Sequence, residues 1–222
     1  MTFFDHLVIG AESLEQGAAY IEEKLGVRPP FGGKHPLMGT HNCLTRLGNT
    51  CFLEIIAIDP EASRPSHPRW FGLDDPHIRS RLALSPRLLT WVVNCEDITA
   101  TLNNPVMSFG SPQPLSRGDL RWYFGVPDDG RLLAGGMLPY VISWQIKGHP
   151  ATGMSDQGCS LKKLKIYTPL QEWTLQQLED INARDLVEVE LIDEMDTPFL
   201  EAEIQSPLGA CILRSCGPME KQ

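Results

Sequence analysis

The chain has 222 residues, 42% of them hydrophobic and 21% charged, with a formal net charge of −9. That length can bury a full core as one domain or two small subdomains. The acidic balance leaves no basic stripe for nucleic acid, and no apolar run approaches the roughly 18 residues of a membrane span.

No basic segment followed by an apolar one opens the chain, so a secretion signal is not expected. Six cysteines (Cys43, Cys51, Cys95, Cys159, Cys211 and Cys216) form no Cys-x-x-Cys pair. They read as reduced thiols of a cytoplasmic protein, mostly small core residues.

Phe3 to Ile9 reads as a strand. Glu12 or Ser13 can cap a helix from Leu14 to Leu25 that ends at Gly26. Leu14, Ala18, Ile21 and Leu25 recur at helical spacing and give one stripe to bury against a sheet. Gly32 to Gly39 reads as a loop. A hairpin follows, with Gly48-Asn49 as a tight two-residue turn between β-prone runs. That turn sets Cys43 opposite Glu54 and His41 opposite Ile56. His41, Cys43, Thr45, Phe52, Glu54 and Ile56 then share one face. A carboxylate such as Glu54 in an apolar strand is costly to bury without a partner, and His6 can supply one.

The connection from Asp59 to Pro86 is long enough for a lid or crossover and carries Asp75-Pro76 as the cap and first residue of a short helix. Leu88 to Asn94 is a second opening strand. Glu96-Asp97 can cap a short helix ending near 103–105. Leu120 to Phe124 and Pro139 to Trp144 are later strands. A third unit opens at Leu161 to Tyr167, with a helix from Leu170 to Ile181. Strands over Leu186–Ile192, Phe199–Gln205 and Ala210–Ser215 follow. The first and third units share an order of strand, helix and several strands, the mark of an internal repeat.

His41 lies diagonal to Glu54 in this register and can complete a two-histidine, one-carboxylate set with His6. His35, His67 and His149 each precede a proline and read first as turn or extended-loop residues. Trp70, Phe71, Trp91, Trp122, Tyr140 and Trp144 are candidates for an apolar pocket wall, and Tyr140 and Trp144 share one face of their strand with Ile142. No dinucleotide, phosphate-loop or nucleophile-elbow motif is present.

Asp5-His6-Leu7-Val8, Gly39-Thr40-His41-Asn42, Leu53-Glu54-Ile55-Ile56, Arg69-Trp70-Phe71-Gly72-Leu73 and Leu138 to Trp144 together resemble the glyoxalase-like domain family. This belongs to the glyoxalase/bleomycin-resistance/extradiol-dioxygenase, or vicinal oxygen chelate, superfamily. The resemblance spans about residues 3 to 215. It implies an α+β fold of repeated β-α-β-β-β modules forming a curved, cup-like mixed sheet with helices outside. One domain over 1–215 is expected, with modules at 1–58, 87–150 and 160–215, a connector at 59–86 and a tail at 216–222.

The resemblance also implies a divalent metal (Zn, Mn, Ni or Fe) in the cup, acting as a Lewis acid on vicinal oxygens. His6 and Glu54 match two ligand positions, with His41 or water completing the shell. Aligning 49–54 with 209–214 sets Arg214 at the position of Glu54 and Lys163 or Trp91 at that of His6. None of these is an ordinary ligand. Arg214 and Lys163 can instead hold an anionic substrate group.

The expectation is a metal-assisted lyase or isomerase with His6 and Glu54 as catalytic residues, a small-molecule partner, and no nucleic acid or membrane. Homodimer formation stays open. The alternatives are a non-catalytic small-molecule binding protein and a metal-free enzyme using His6 and Glu54 as acid and base.

Overall fold

The structure, a computed structural model, describes residues 1–103 and 105–216. The end of the expected helix near Asn104 and most of the expected 216–222 tail lie outside these residues. Local chemistry builds the elements much as the sequence predicts. The chain opens with β1 (Thr2–Gly10) and α1 (Leu14–Leu25). The Ser13 hydroxyl accepts from the Gln16 N–H, and Gly26 closes the helix with φ 72°, a conformation that costs glycine nothing. Next come β2 (Phe31–His35), β3 (Thr40–Arg46) and β4 (Phe52–Ile58).

The connector holds a single 3-10 turn, Trp70–Gly72, and α2 (Pro76–Leu84), capped by Asp75. The second module is β5 (Arg87–Cys95), α3 (Ile98–Asn103), β6 (Ser111–Arg117), β7 (Leu120–Val126) and β8 (Tyr140–Trp144). The third unit is β9 (Ser160–Thr168), α4 (Gln171–Asp180), β10 (Glu188–Leu191), β11 (Phe199–Ser206) and β12 (Gly209–Arg214).

Eight strands make one curved, nearly closed mixed sheet in the order β2-β3-β4-β1-β5-β8-β7-β6. The first strand of each module pairs in parallel with that module's last strand, β1 with β4 and β5 with β8. β1 and β5 then meet antiparallel at the centre. The repeat that builds the cup is therefore the first module against the second. The third unit has a similar element order but different pairing, β10-β9-β11-β12, and forms its own sheet. Element order alone cannot separate the two cases, because strand pairing is a long-range choice.

Period-two alternation divides the cup into two faces. Leu7, Ile9, Leu53, Ile55 and Val93 join a convex-side core with Ile21 and Leu25 of α1 and with Leu164, Ile166, Ala202 and Ile204 of the third unit. Val8, Ile56, Val92, Tyr140 and Ile142 face inward with Trp70, Phe71, Trp122 and Phe124. The third unit thus covers the back of the cup and leaves its hollow free.

The hairpin differs from expectation by one residue. The Leu47 N–H bonds the Cys51 carbonyl, so three residues rather than two make the turn, and Leu44 rather than Cys43 pairs with Glu54. A one-residue slip moves a side chain to the other face. Asn42 and Leu44 therefore share the face of Glu54, and His41 and Cys43 lie on the opposite one. The expected loop at 32–39 also begins as a strand, β2. Among the described residues, no helix is long and apolar enough to cross a membrane.

Candidate active site

The hollow of the cup is a cavity of about 260 Å³. Its polar groups are His6, His35, Asn42, Glu54 and Arg117; its aromatic wall includes Trp70, Trp122 and Trp144.

His6 enters this cavity through an irregularity in β1. The register with β5 shifts between Phe4, which pairs with Val93, and His6, which pairs with Val92, so Asp5 is an extra residue. Phe4 and Leu7 both pack on the convex side despite their odd spacing, and the Asp5 and His6 side chains are left together on the other. The Asp5 carboxylate is fully buried. Its Oδ1 lies 2.6 Å from His6 Nδ1, and its Oδ2 accepts from Trp144 Nε1 at 2.8 Å and meets His149 Nε2 at 2.9 Å. His149 Nδ1 accepts the Ala151 N–H, which assigns the His149 proton to Nε2.

The other edge of the His6 ring faces Glu54, with Nε2 3.5 Å from Oε2. Glu54 Oε1 accepts from Asn42 Nδ2 at 2.7 Å, and Asn42 Oδ1 accepts from Arg117 Nη1 at 3.1 Å. A continuous polar chain thus runs from Asp5 through His6, Glu54 and Asn42 to Arg117, crossing from the centre of the sheet to its edge.

Burial alone lowers the pKa of an imidazole, but hydrogen bonds and charge from Asp5 and Glu54 outweigh it and raise His6 to about 9. Burial pushes both carboxylates up. Hydrogen bonds from His149 and His6 nevertheless hold Asp5 below its usual range, and the hydrogen bond and charge of His6, with the Asn42 amide, do the same for Glu54. The resting site is therefore an imidazolium between two carboxylates. His35 is the opposite case: burial lowers it to about 4, leaving a neutral ring within 3.1 Å of the Thr40 hydroxyl.

Trp70, Phe71 and Trp144 line the cavity. The connector brings in the first two, with Phe71 held at φ 57°. Tyr140 is a correction. It lies behind the wall against Phe71 and Phe124, donates to the Arg131 carbonyl and accepts the Phe71 N–H. His41 is another: the register turns it away from Glu54, and its Nδ1 is 4.0 Å from Asp59 Oδ1.

Arg214 and Lys163 are on the third unit, paired with Glu201 and Glu188, and not among the cavity residues. Local sequence does not point to Asn42 or Arg117 as site residues: a one-residue difference in hairpin register decides the face of Asn42, and the proline-bearing β6 lacks the composition of a strand. His149 carried only its His-Pro signal.

The resemblance implies a divalent metal in this cavity. His6 and Glu54 are two ligands at most. The second module adds Arg117 and apolar groups to the cavity, and among the described residues no cluster of three or more His, Cys, Asp or Glu can hold a metal ion. These residues do not fit a resident divalent cation.

The glyoxalase-like domain family matches residues 4–181. The chain belongs to this family, within the vicinal oxygen chelate superfamily. No curated protein matches the chain. Among solved structures, a hypothetical protein from Staphylococcus aureus is similar over 96% of this chain and 85% of its own, at 14% identity and TM-score 0.56. A triply substituted 4-hydroxymandelate synthase from Streptomyces coelicolor matches over 96% of this chain and 63% of its own, at 15% identity and TM-score 0.50. A methylmalonyl-CoA epimerase from the same organism covers 68% of this chain and 99% of its own, at 15% identity and TM-score 0.43. At these identities the first two likenesses show the fold of this glyoxalase-like protein and nothing finer.

Proposed function

We propose that this glyoxalase-like protein is a small-molecule isomerase or lyase that moves a proton at a carbon next to a carbonyl. The observation that carries this reading is the buried Asp5–His6–Glu54 series at an aromatic cavity. Glu54 is the general base. Asn42 holds its Oε1, so Oε2 is the oxygen that reacts. At 3.5 Å the His6 contact is long for a hydrogen bond, and substrate can replace it. Losing that contact restores basicity to Glu54 at the moment of attack.

Glu54 Oε2 takes the proton from carbon, and the C–H electron pair moves into the carbonyl to give an enolate. The His6 Nε2–H donates to the new oxyanion, with Asp5 fixing the ring and balancing its charge. Return of the proton to another face or carbon completes an isomerisation; loss of a β-leaving group completes an elimination.

The test is hydrogen exchange in D2O, read by NMR on a panel of small carbonyl compounds and acids. The expected result is catalysed exchange at one carbon that Glu54→Gln abolishes, general acid–base groups being worth about 10²–10⁴-fold. Exchange surviving in Glu54→Gln overturns the assignment. The aromatic wall also favours a second reading, a binding protein without turnover. It predicts tight ligand binding, no exchange, and little effect of Glu54→Gln.

A further inference from the structure

Arg117 ends the last strand of the sheet, yet its guanidinium reaches the hollow. It is half-buried and, among the described residues, forms no ion pair. Among the described residues one hydrogen bond holds it, Nη1 to Asn42 Oδ1 at 3.1 Å, while Nε and Nη2 have no partner. The fold makes room for it on purpose-built ground. A Cβ at Gly33 would come within 2.4 Å of Arg117 Cδ, and one at Gly32 within 2.5 Å of Asn42 Oδ1. Glycine at both positions lets the β2 edge lie close to the arginine and its amide; a larger residue would push one of these side chains aside.

Nε and Nη2 of Arg117 are donors, so a ligand facing them presents acceptors. A guanidinium fork matches a carboxylate in two parallel bonds.

We propose that Arg117 is the substrate-specificity residue of this cavity, taking a carboxylate of the substrate, and that the substrate class is small carboxylic acids with an aromatic or branched aliphatic body. This rests on the proposed function for which carbon reacts, but not for binding. Arg117 stands one amide away from Glu54, through Asn42, so an acid held there sets a carbon close to its own carboxylate beside Glu54 Oε2. The body of the acid then lies against Trp122, Trp144 and Phe124. This role was expected of Arg214 and Lys163, which the fold sends elsewhere.

The test reads binding alone, by quenching of tryptophan fluorescence. The probes are phenylacetate, 3-phenylpropionate and 3-methylbutyrate, each against its uncharged amide. In the unmodified protein at least one acid should bind ten-fold or more tighter than its amide. Arg117→Ala should bring that acid down to the level of the amide, with an unchanged circular dichroism spectrum and melting curve as the control for folding, and Arg117→Lys should recover part of the gap. The proposal is overturned if no acid is preferred, if no acid binds, or if the preference survives Arg117→Ala. Absence of catalysed exchange in the unmodified protein, or exchange that survives Glu54→Gln, with the acid preference intact would instead overturn only the role of Glu54.

Discussion

Asp5 and His6 are neighbours in the chain, yet their side chains meet at 2.6 Å on one side of a β-strand. In a regular strand adjacent side chains point to opposite faces. The extra residue in β1 removes that constraint and makes the pair. Most of the site chemistry follows, since a buried carboxylate behind the ring is what keeps His6 protonated.

Asp5→Asn tests this directly. The amide keeps the shape but loses the charge, and its NH2 faces donors from His6, Trp144 or His149. Breaking a buried pair in this way costs about 3–5 kcal/mol. Thermal melting should show that loss, and the surviving folded protein should lose about 10²-fold or more in proton exchange.

Stability should fall on the alkaline side. The His6 pKa is raised in the folded protein, so its contribution is fully present below the ordinary value of 6.5 and is lost as pH rises through about 9. The contribution is on the order of 3 kcal/mol. Melting curves from pH 6 to 10 on the unmodified protein and on His6→Gln should converge as pH rises, and parallel curves would refute the assignment.

Glu54→Gln should shift the His6 titration. Glu54 supplies both a hydrogen bond and a charge that favour the imidazolium. NMR titration of the ring should give a value below about 9 in the variant, with Asp5 still holding it up. An unchanged titration would mean that the two groups do not communicate.

Chelator treatment should leave the proton-exchange activity intact. Protein purified without metal-affinity steps should carry no stoichiometric Zn, Mn, Ni or Fe. Adding these ions should not raise the melting temperature, since two donors give little preference for the folded state. A stoichiometric ion lost in Glu54→Gln would restore the metal-assisted reading.

Much of the fold was legible. The capped helix from Leu14 to Leu25, the strands of the third unit, and the Asp75-Pro76 helix start were written in local chemistry. The strands that escaped, β2 with Gly32-Gly33 and β6 with Pro112 and Pro114, are the two edges of the eight-stranded sheet. Edge strands tolerate glycine and proline because one side of their backbone needs no partner, so they lack the composition that marks a strand.

By itself the sequence determined the family, most of the elements, and the meeting of His6 with Glu54, because periodicity, caps and an apolar strand carrying a carboxylate are local signals. Only the tertiary structure decided that the first two modules rather than the first and third close the cup. It alone decided that Asn42 rather than His41 attends Glu54, and that Arg117 rather than Arg214 reaches the hollow. Each of these depends on pairing between distant strands, where a shift of one residue reverses a face.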